Sequence, residues 1–291
     1  MHYEVKENAY AKLNISLDVG KKRDDGYHEM NMVMQTVSLC DRLTLVICDE
    51  PGITLSCNLP YIPTGENNLA YKAAKLYIEK TGFPYGVKID IEKNIPVGAG
   101  MAGGSTDAAA VLRALNRANG NTLDKNSLLG LACSVGSDVA FCLFGGTKLA
   151  TGRGEVLTPL HSFPDCSIVI AKPDFSISTP EFFKLIDKKK LEMHPDTNGL
   201  IAALDREDLT GVARRMYNVF EDIGDRRLSV VREVKDIMID AGALGAVMTG
   251  TGSAVFGVFT SGSECDELVS DLKKKYGFCV KAKPVNELSG Y

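Results

Sequence analysis

A regular alternation of apolar and polar residues runs from Ala9 to Val19. The polar positions in this segment include Lys12, Asn14 and Ser16. A period of two predicts a half-buried strand, so these three side chains should share one face of a sheet. Three further strands are predicted at residues 31–39, 43–48 and 53–57. The short turns between them favour antiparallel pairing.

Helical periodicity and strand-like runs then alternate along the rest of the chain. Asn67 or Asn68 is placed to cap the first helix, and Gly82 to end it. Predicted helices cover residues 67–80, 105–119, 124–133, 179–188, 209–220, 228–241 and 264–276. Predicted strands cover residues 87–91, 167–171, 245–248, 254–259 and 280–284. This mixture predicts the α+β class. A change of composition after Leu160 predicts two domains, residues 1–160 and 161–291.

Composition narrows the function classes. The chain has 291 residues, 45% of them hydrophobic, which is enough to fill two cores. The formal net charge of −4 argues against a basic face, so we expect no nucleic-acid partner. The eight cysteines form no C-x-x-C pair and the four histidines no H-E-x-x-H motif, so no zinc site is predicted and no residue is assigned as a metal ligand on this ground.

The sequence also lacks the marks of export. Charged residues begin at once, with no apolar core of a signal peptide, and no apolar run is long enough to span a bilayer. We therefore expect a cytoplasmic protein with no membrane partner.

A glycine-rich stretch, Pro96–Asp107, is the first candidate for chemistry. Its four glycines allow close approach of the backbone to an anion, and N–H groups can then line a phosphate-sized hollow. A predicted helix follows, and its start also favours phosphate. Ser105 or Thr106 is placed either to cap this helix or to offer a hydroxyl to phosphate or Mg²⁺. The alternative is a flexible loop before an ordinary helix cap.

Two nucleotide motifs do not fit this stretch. The Walker A pattern needs a lysine that is absent here. The string Gly98–Gly103 matches G-x-G-x-x-G, but Asp124 is preceded by a helix and a turn where a dinucleotide fold needs a strand. We therefore reject a dinucleotide-dependent oxidoreductase.

Two charged residues and a second glycine turn remain open to two interpretations each. Lys12 is either solvated on an open sheet face or catalytic. Asp138 is either a helix cap or a general base on a substrate hydroxyl, kept ionised by a nearby lysine. The turn Thr249–Ser253, called the late turn below, is either a simple hairpin or a segment that faces the first glycine loop and closes over a phosphate or the acceptor.

Three of these segments together resemble the GHMP kinase superfamily: residues 11–14, 96–107 and 248–253. Within this superfamily, the chain is most similar to the branch that acts on 4-diphosphocytidyl-2-C-methyl-D-erythritol (cytidine diphosphate methylerythritol). The similar segments are residues 11–17, 25–28, 136–141, 145–155 and 216–221. The resemblance implies a two-domain fold, with an N-terminal domain like ribosomal protein S5 domain 2 and a ferredoxin-like C-terminal domain. The sequence departs from the family pattern at Ser137, Ala140 and Lys148, and in the hydroxyl residues of the turn 248–253.

The resemblance also implies roles for individual residues. Asp138 would accept the proton of the acceptor hydroxyl, and Lys12 would hold Asp138 ionised and polarise that hydroxyl. Tyr27 would stack on cytosine and His28 would bond its edge. The other implied substrate-binding residues are Asn14, Thr179 and Phe183. Asn68 and Lys93 would lie near the adenosine. The implied phosphate-binding residues are Pro96, Gly98, Ala99, Gly100, Met101, Ala102, Gly103, Gly104, Ser105 and Thr106.

The implied activity is transfer of the γ-phosphoryl group of ATP to the 2-hydroxyl of the cytidylyl substrate, in the non-mevalonate route to isoprenoid precursors. ATP and Mg²⁺ are the expected cofactors, and a monomer or weak homodimer is the expected state. Two alternatives remain: a GHMP kinase of the homoserine or mevalonate type, and a ligand-sensing homologue without catalysis. The pair Tyr27 and His28 argues against the first, and retention of Lys12 and Asp138 against the second.

Overall fold

The chain forms two compact units, each assembled from separate segments. The computed structural model describes residues 3–189 and 191–288. The segments of the first unit are Met1–Ala11, Leu39–Ile95 and Ala102–Phe144, and those of the second are Lys12–Ser38, Pro96–Met101 and Gly145–Tyr291. Both contain helices and sheets, so the α+β class is confirmed. The predicted domain boundary between residues 160 and 161 stays a prediction.

The sheet of the first unit has the strand order β3-β4-β2-β1. Its strands are parts of β1 (Tyr3–Lys22) and β2 (His28–Cys48), together with β3 (Ile53–Cys57) and β4 (Gly86–Glu92). β4 runs antiparallel to β2 and parallel to β3. The predicted antiparallel pairing is therefore wrong for β3, because a helical crossover places β4 between β2 and β3.

The two strands predicted at residues 31–39 and 43–48 are one continuous strand, β2. The short turn that we expected between residues 39 and 43 is not formed, and Asp41 in this segment is fully buried. Its carboxylate accepts hydrogen bonds from the backbone N–H groups of Asn94 and Ile95. A buried acid with these partners does not require the strand to end.

Among the residues that the structure describes, four helices complete the first unit. α1 (Leu69–Thr81) begins after the cap Asn68 and ends at Gly82, whose φ is 65°, as predicted. α3 (Lys125–Val135) is capped by Asp124, close to its predicted bounds. α2 (Gly103–Ala118) packs against α1 and against α4 (Ser137–Phe144). The buried guanidinium of Arg113 on α2 donates to the carbonyls of Cys142 and Leu143, which fixes the end of α4.

In the second unit, short strands join the segments of β1 and β2 that belong to it. β5 (Thr147–Thr151) pairs antiparallel with β2, placing Lys148 opposite Met34, and β6 (Val156–Pro159) pairs with β5. β8 (Tyr217–Asn218) runs parallel to β1. We had not predicted β5, β6 or β8, because strands of two to five residues carry little periodicity.

A four-stranded antiparallel sheet forms the other part of the second unit. Its strands are β7 (Cys166–Lys172), β9 (Gly245–Met248), β10 (Val255–Thr260) and β11 (Phe278–Ala282), in the order β11-β7-β10-β9. α8 (Leu228–Asp240) precedes β9, and α9 (Asp266–Tyr276) lies between β10 and β11 in the chain. This is the β-α-β-β-α-β arrangement of the ferredoxin-like fold, as the resemblance implied.

The remaining helices of the second unit are α5 (Thr179–Ile186), α6 (Thr197–Asp205) and α7 (Leu209–Ala213). α6 was missed. The predicted helix over residues 209–220 is wrong beyond Ala213, because Asn218 adopts extended backbone and its side chain accepts from the N–H of Phe220. Within the described residues, no helix combines the length and the apolarity needed to cross a bilayer.

Candidate active site

The polar face of β1 is buried in the second unit. Lys12 is only 5% exposed, so the solvated-lysine interpretation is wrong. Its ammonium donates to Asn14 Oδ1 at 2.7 Å, and its backbone N–H donates to the carbonyl of Met101 in the glycine loop. Lys12 and Asn14 thus share one face, as the alternation predicted, and Lys12 borders the loop.

The late turn meets both Asn14 and the glycine loop. The N–H of Asn14 donates to Thr249 Oγ1 at 3.0 Å, and the N–H of Gly250 donates to Asn14 Oδ1 at 3.1 Å. Thr249 Oγ1 also lies 3.3 Å from the carbonyl oxygen of Gly100, to which it can donate. The turn is a hairpin between β9 and β10, and it also faces the loop. The hairpin interpretation is therefore confirmed, whereas closure over a phosphate or the acceptor stays a prediction.

Backbone contact between the loop and the late turn explains two of the glycines. Gly100 has a φ of +77°, and a Cβ atom there would lie 2.1 Å from the carbonyl oxygen of Thr249. Gly250 has a φ of +57°, and a Cβ atom there would lie 2.9 Å from the Cα of Gly100. Ala99, which is buried, accepts from the N–H of Ala254. Any side chain at position 100 would push the loop and the turn apart.

Asn218 also holds the late turn, and sequence reasoning missed it. Its amide donates to the carbonyls of Met248 and Gly250, both at 2.8 Å, and it is buried. The residues 216–221 were noted as part of the resemblance, but a helix was predicted there. An asparagine inside an otherwise regular helical pattern was the available signal.

An aromatic and charged group lies elsewhere in the second unit. The His28 ring stacks on Phe183 with centroids 5.1 Å apart, and its Nε2 lies 2.6 Å from Asp187 Oδ1. Lys22 donates to the other oxygen of Asp187 at 2.9 Å. These hydrogen bonds, from Lys22 first and His28 second, lower the pKa of Asp187. Sequence reasoning placed His28 and Phe183 together but missed Asp187.

Tyr27 and Thr179 lie at the edges of this group. Tyr27 is 55% exposed, and the guanidinium of Arg153 lies 5.0 Å from its ring centroid. Arg153 thus lies against one face of the ring, while more than half of the residue stays exposed. Thr179 Oγ1, at the start of α5, lies 3.0 Å from Thr251 Oγ1. This contact links the helix that carries Phe183 to the late turn.

The start of α2 belongs to the first unit and has no side-chain cap. Ala102 occupies the cap position with a left-handed φ of 58°. The expectation that Ser105 or Thr106 caps the helix is therefore wrong, because both lie inside it. The Thr106 hydroxyl donates to the carbonyl of Tyr10, whereas the Ser105 side chain is half-buried. Uncapped N–H groups at Gly103 and Gly104 suit an anion.

Lys93 and Leu69, the residue that follows Asn68, lie near this helix start. Asn68 caps α1, and the side chain of the next residue, Leu69, reaches the vicinity of Gly104. The ammonium of Lys93 lies beside Gly103 and is buried between Asp41 and Asp107. Burial lowers the pKa of Lys93, but the charges of the two carboxylates outweigh it and leave the pKa raised.

Asp138 lies in the first turn of α4 and is half-buried. It is the second residue of the helix, so the helix-cap interpretation is wrong. A carboxylate in this position is favoured by the positive end of the helix dipole. Asp138 belongs to the first unit, whereas Lys12 belongs to the second.

Family models match both halves of the chain. The model described as the N-terminal domain of GHMP kinases matches residues 68–146, and the model of their C-terminal domain matches residues 200–277. The first range contains Asn68, the glycine loop and Asp138. The second contains the late turn.

Curated relatives and solved structures are similar over nearly the whole chain. A 4-diphosphocytidyl-2-C-methyl-D-erythritol kinase of Clostridium botulinum is 44% identical over 92% of this chain and 95% of its own. One of the same description from Caldicellulosiruptor saccharolyticus is 45% identical over 91% of each. A crystal structure of a 4-(cytidine 5′-diphospho)-2C-methyl-D-erythritol kinase is 34% identical, with a TM-score of 0.80 over 96% of this chain and 99% of that one. A homoserine kinase from Cytophaga hutchinsonii, 21% identical, has a TM-score of 0.77 over 99% and 96% and supports the fold alone.

Proposed function

The chain belongs to the GHMP kinases, and we propose that it transfers the γ-phosphoryl group of ATP to the 2-hydroxyl of 4-diphosphocytidyl-2-C-methyl-D-erythritol. The observation that carries the choice of acceptor is the group of His28, Phe183 and Asp187 in the second unit. Recognition of a nucleobase needs an aromatic surface on which it can stack and a side chain that forms a directed hydrogen bond to its edge. Neither homoserine nor mevalonate contains a base, so such a group has no use in a kinase for those acceptors.

The geometry of His28 suits cytosine. Because the Asp187 carboxylate can only accept, we assign the donating N–H of His28 to Nε2 and an acceptor role to Nδ1. An acceptor at Nδ1 matches the exocyclic amino group of cytosine. We assign the exposed Tyr27 ring to stacking on the base, and Thr179 to the same nucleoside.

The phosphoryl-transfer roles follow the same proposal. Gly98 to Thr106 bind the nucleotide's phosphates through backbone N–H groups, and Asn68 lies at the adenosine. We assign to Asp138 the acceptance of the proton of the attacking hydroxyl, and to Lys12 the stabilisation of charge on the reacting groups. Asn14 orients Lys12 and contacts the acceptor. Phosphoryl transfer asks the protein mainly for positioning and charge stabilisation.

Mg²⁺ fits the residues at the helix start. Mg²⁺ keeps water and phosphate oxygens as most of its ligands and takes few from protein. Among residues 3–189 and 191–288, no three His, Cys, Asp or Glu side chains come together as a metal-binding group. The half-buried Ser105 hydroxyl at the uncapped start of α2 is the protein ligand that we assign. Bound there with the nucleotide, Mg²⁺ would neutralise phosphate charge.

The test is ADP release by the purified protein with Mg-ATP and three acceptors: the cytidylyl substrate, homoserine and mevalonate. We expect turnover with the cytidylyl substrate only. Turnover with homoserine or mevalonate but not with the cytidylyl substrate would overturn the choice of acceptor. Nucleotide binding without turnover of any acceptor would favour the ligand-sensing alternative. A cytoplasmic location and a monomer or weak homodimer belong to the same proposal.

Asp187→Asn is expected to weaken acceptor binding specifically. The substitution removes the charge of the acceptor that fixes the His28 ring but keeps an amide oxygen that can accept. We therefore expect the KM for the cytidylyl substrate to rise about three- to tenfold, less than for full loss of a charge-assisted hydrogen bond. The KM for ATP should not change. Steady-state kinetics with each substrate varied in turn measure both.

The control for this variant is Asp205→Asn, the same change at the exposed end of α6. It should leave both KM values unchanged. An equal rise in the two KM values for Asp187→Asn, or no rise in either, would show that Asp187 does not orient His28 for the acceptor.

A further inference from the structure

Three charged side chains form a buried cluster in the first unit. Lys93 directly follows β4, and its ammonium donates to Asp107 Oδ2 at 2.7 Å and to Asp41 Oδ2. The Lys93 side chain is 4% exposed, that of Asp107 6% and that of Asp41 not at all. The roles proposed above use neither carboxylate, and the ammonium is already engaged by both.

Asp41 has a second set of partners at the other end of its carboxylate. Its Oδ1 accepts from the backbone N–H groups of Asn94 at 2.5 Å and Ile95 at 2.8 Å. These are the last two residues before Pro96, where the glycine loop begins. Asp107 lies in α2, just after the loop ends at Ala102. The path from Asp41 through Lys93 to Asp107 therefore spans the two ends of the loop.

Stability alone does not account for such a cluster. Removing three charges from water is costly, and apolar side chains of similar volume often stabilise a core as well or better. Apolar side chains, however, cannot accept hydrogen bonds from the backbone N–H groups of Asn94 and Ile95, and so cannot fix the distance of these residues from α2. The carboxylates and the ammonium supply that directionality.

We propose that Asp41, Lys93 and Asp107 act as a clasp that holds the two ends of the nucleotide-phosphate loop in register, with Asp41 as its main positioning residue. The inference rests on the proposed function, since it takes the loop to bind nucleotide phosphates. It assigns Lys93 a role through Asp41 and Asp107 in place of direct contact with the adenosine. Small displacements of positioning groups are costly in such sites.

The two carboxylates should respond differently to conversion into amides. Asn at position 41 must turn its NH₂ group toward either the Lys93 ammonium or the two backbone N–H groups, and each is a donor. Asp107 Oδ1, by contrast, is buried with no described hydrogen-bond partner, so the NH₂ group of Asn fits there without meeting a donor. Burial also raises the pKa of Asp107; the charge of Lys93 opposes this and that of Asp41 adds to it.

The experiment compares Asp41→Asn with Asp107→Asn by calorimetric titration with MgADP and by steady-state kinetics. For Asp41→Asn we expect the Kd for MgADP and the KM for ATP to rise about tenfold or more, with the acceptor KM within about twofold of wild type. For Asp107→Asn we expect about a threefold rise or less. Asp90→Asn, an exposed position on β4, is the control and should behave as wild type.

Several outcomes would overturn the clasp. These are a wild-type Kd for MgADP in Asp41→Asn, an equal rise in both KM values, or equal effects of the two amides. If Asp41→Asn does not fold, Lys93→Gln replaces it with the same criteria, because it removes the bridging charge and keeps a donor. If the wild-type protein binds MgADP but does not phosphorylate the cytidylyl substrate, the proposed acceptor is wrong and the proposed clasp is unaffected. Failure of the wild type to bind MgADP would remove both.

Discussion

Asp138→Asn is expected to lower kcat by about 10²–10⁴, the usual contribution of a positioned general base. The substitution keeps the size of the side chain and its place in the first turn of α4 but removes the charge that accepts a proton. The KM for ATP and the Kd for MgADP should stay within a few-fold of wild type, because the change affects the transition state more than binding. Single-turnover and steady-state ADP release measure kcat.

Asp266→Asn is the matched control for this variant. Asp266 is an exposed acid in the first turn of α9, so its replacement makes the same change to a helix start away from the proposed site. It should cost stability only through the helix dipole, about 0.3–1 kcal/mol, with activity unchanged. A loss of kcat below about tenfold in Asp138→Asn would mean that Asp138 is not the base.

Gly100→Ala is expected to abolish most of the activity through backbone geometry. A methyl group there would overlap the carbonyl oxygen of Thr249 at a left-handed φ, so the loop and the late turn must separate. We expect kcat/KM for ATP to fall about 10²-fold, the cost of a displacement of about 1 Å in a positioned site. We also expect the free energy of unfolding to fall by about 1–3 kcal/mol. Chemical denaturation and kinetics measure the two effects.

Gly130→Ala in α3 separates this effect from a general intolerance of added methyl groups. Nothing lies within 4 Å of a Cβ atom at Gly130. Alanine there should stabilise the helix by about 0.5–1 kcal/mol and leave activity unchanged. Wild-type kinetics in Gly100→Ala would show that contact between the loop and the late turn is not needed for nucleotide use.

The fold was predictable where a single element decides its own structure. The alternation around Lys12 gave β1, and the cap at Asn68 with the glycine at position 82 gave α1. Prediction failed where a distant partner decides. Asn218 takes extended backbone and bonds the late turn, and Asp41 stays in a strand because it accepts N–H groups beyond β4.

The candidate site shows the same division. The glycine loop, the late turn, Tyr27 and His28 are marked by residue types that suit phosphate or base binding and by the family resemblance. Asp187, Asp41 and Asp107 are ordinary acids in sequence, and only the fold brings them to His28 and Lys93. Their partners lie 14 to 159 positions away, a separation that no local pattern can signal.

Because the segments of the two units alternate along the chain, no single cut separates the two units. The whole first unit is contained within residues 1–144, so a cut after Phe144 removes none of it. The fragment from Gly145 onward, however, lacks the segments that carry Lys12, Asn14 and Gly100, all of which belong to the second unit. Suppose that residues 1–144 were replaced by those of a relative. The second unit would then combine the relative's β1 segment and glycine loop with the native ferredoxin-like sheet. A functional recombinant of two such enzymes should therefore take residues 1–144 and residues 145–291 from the same parent.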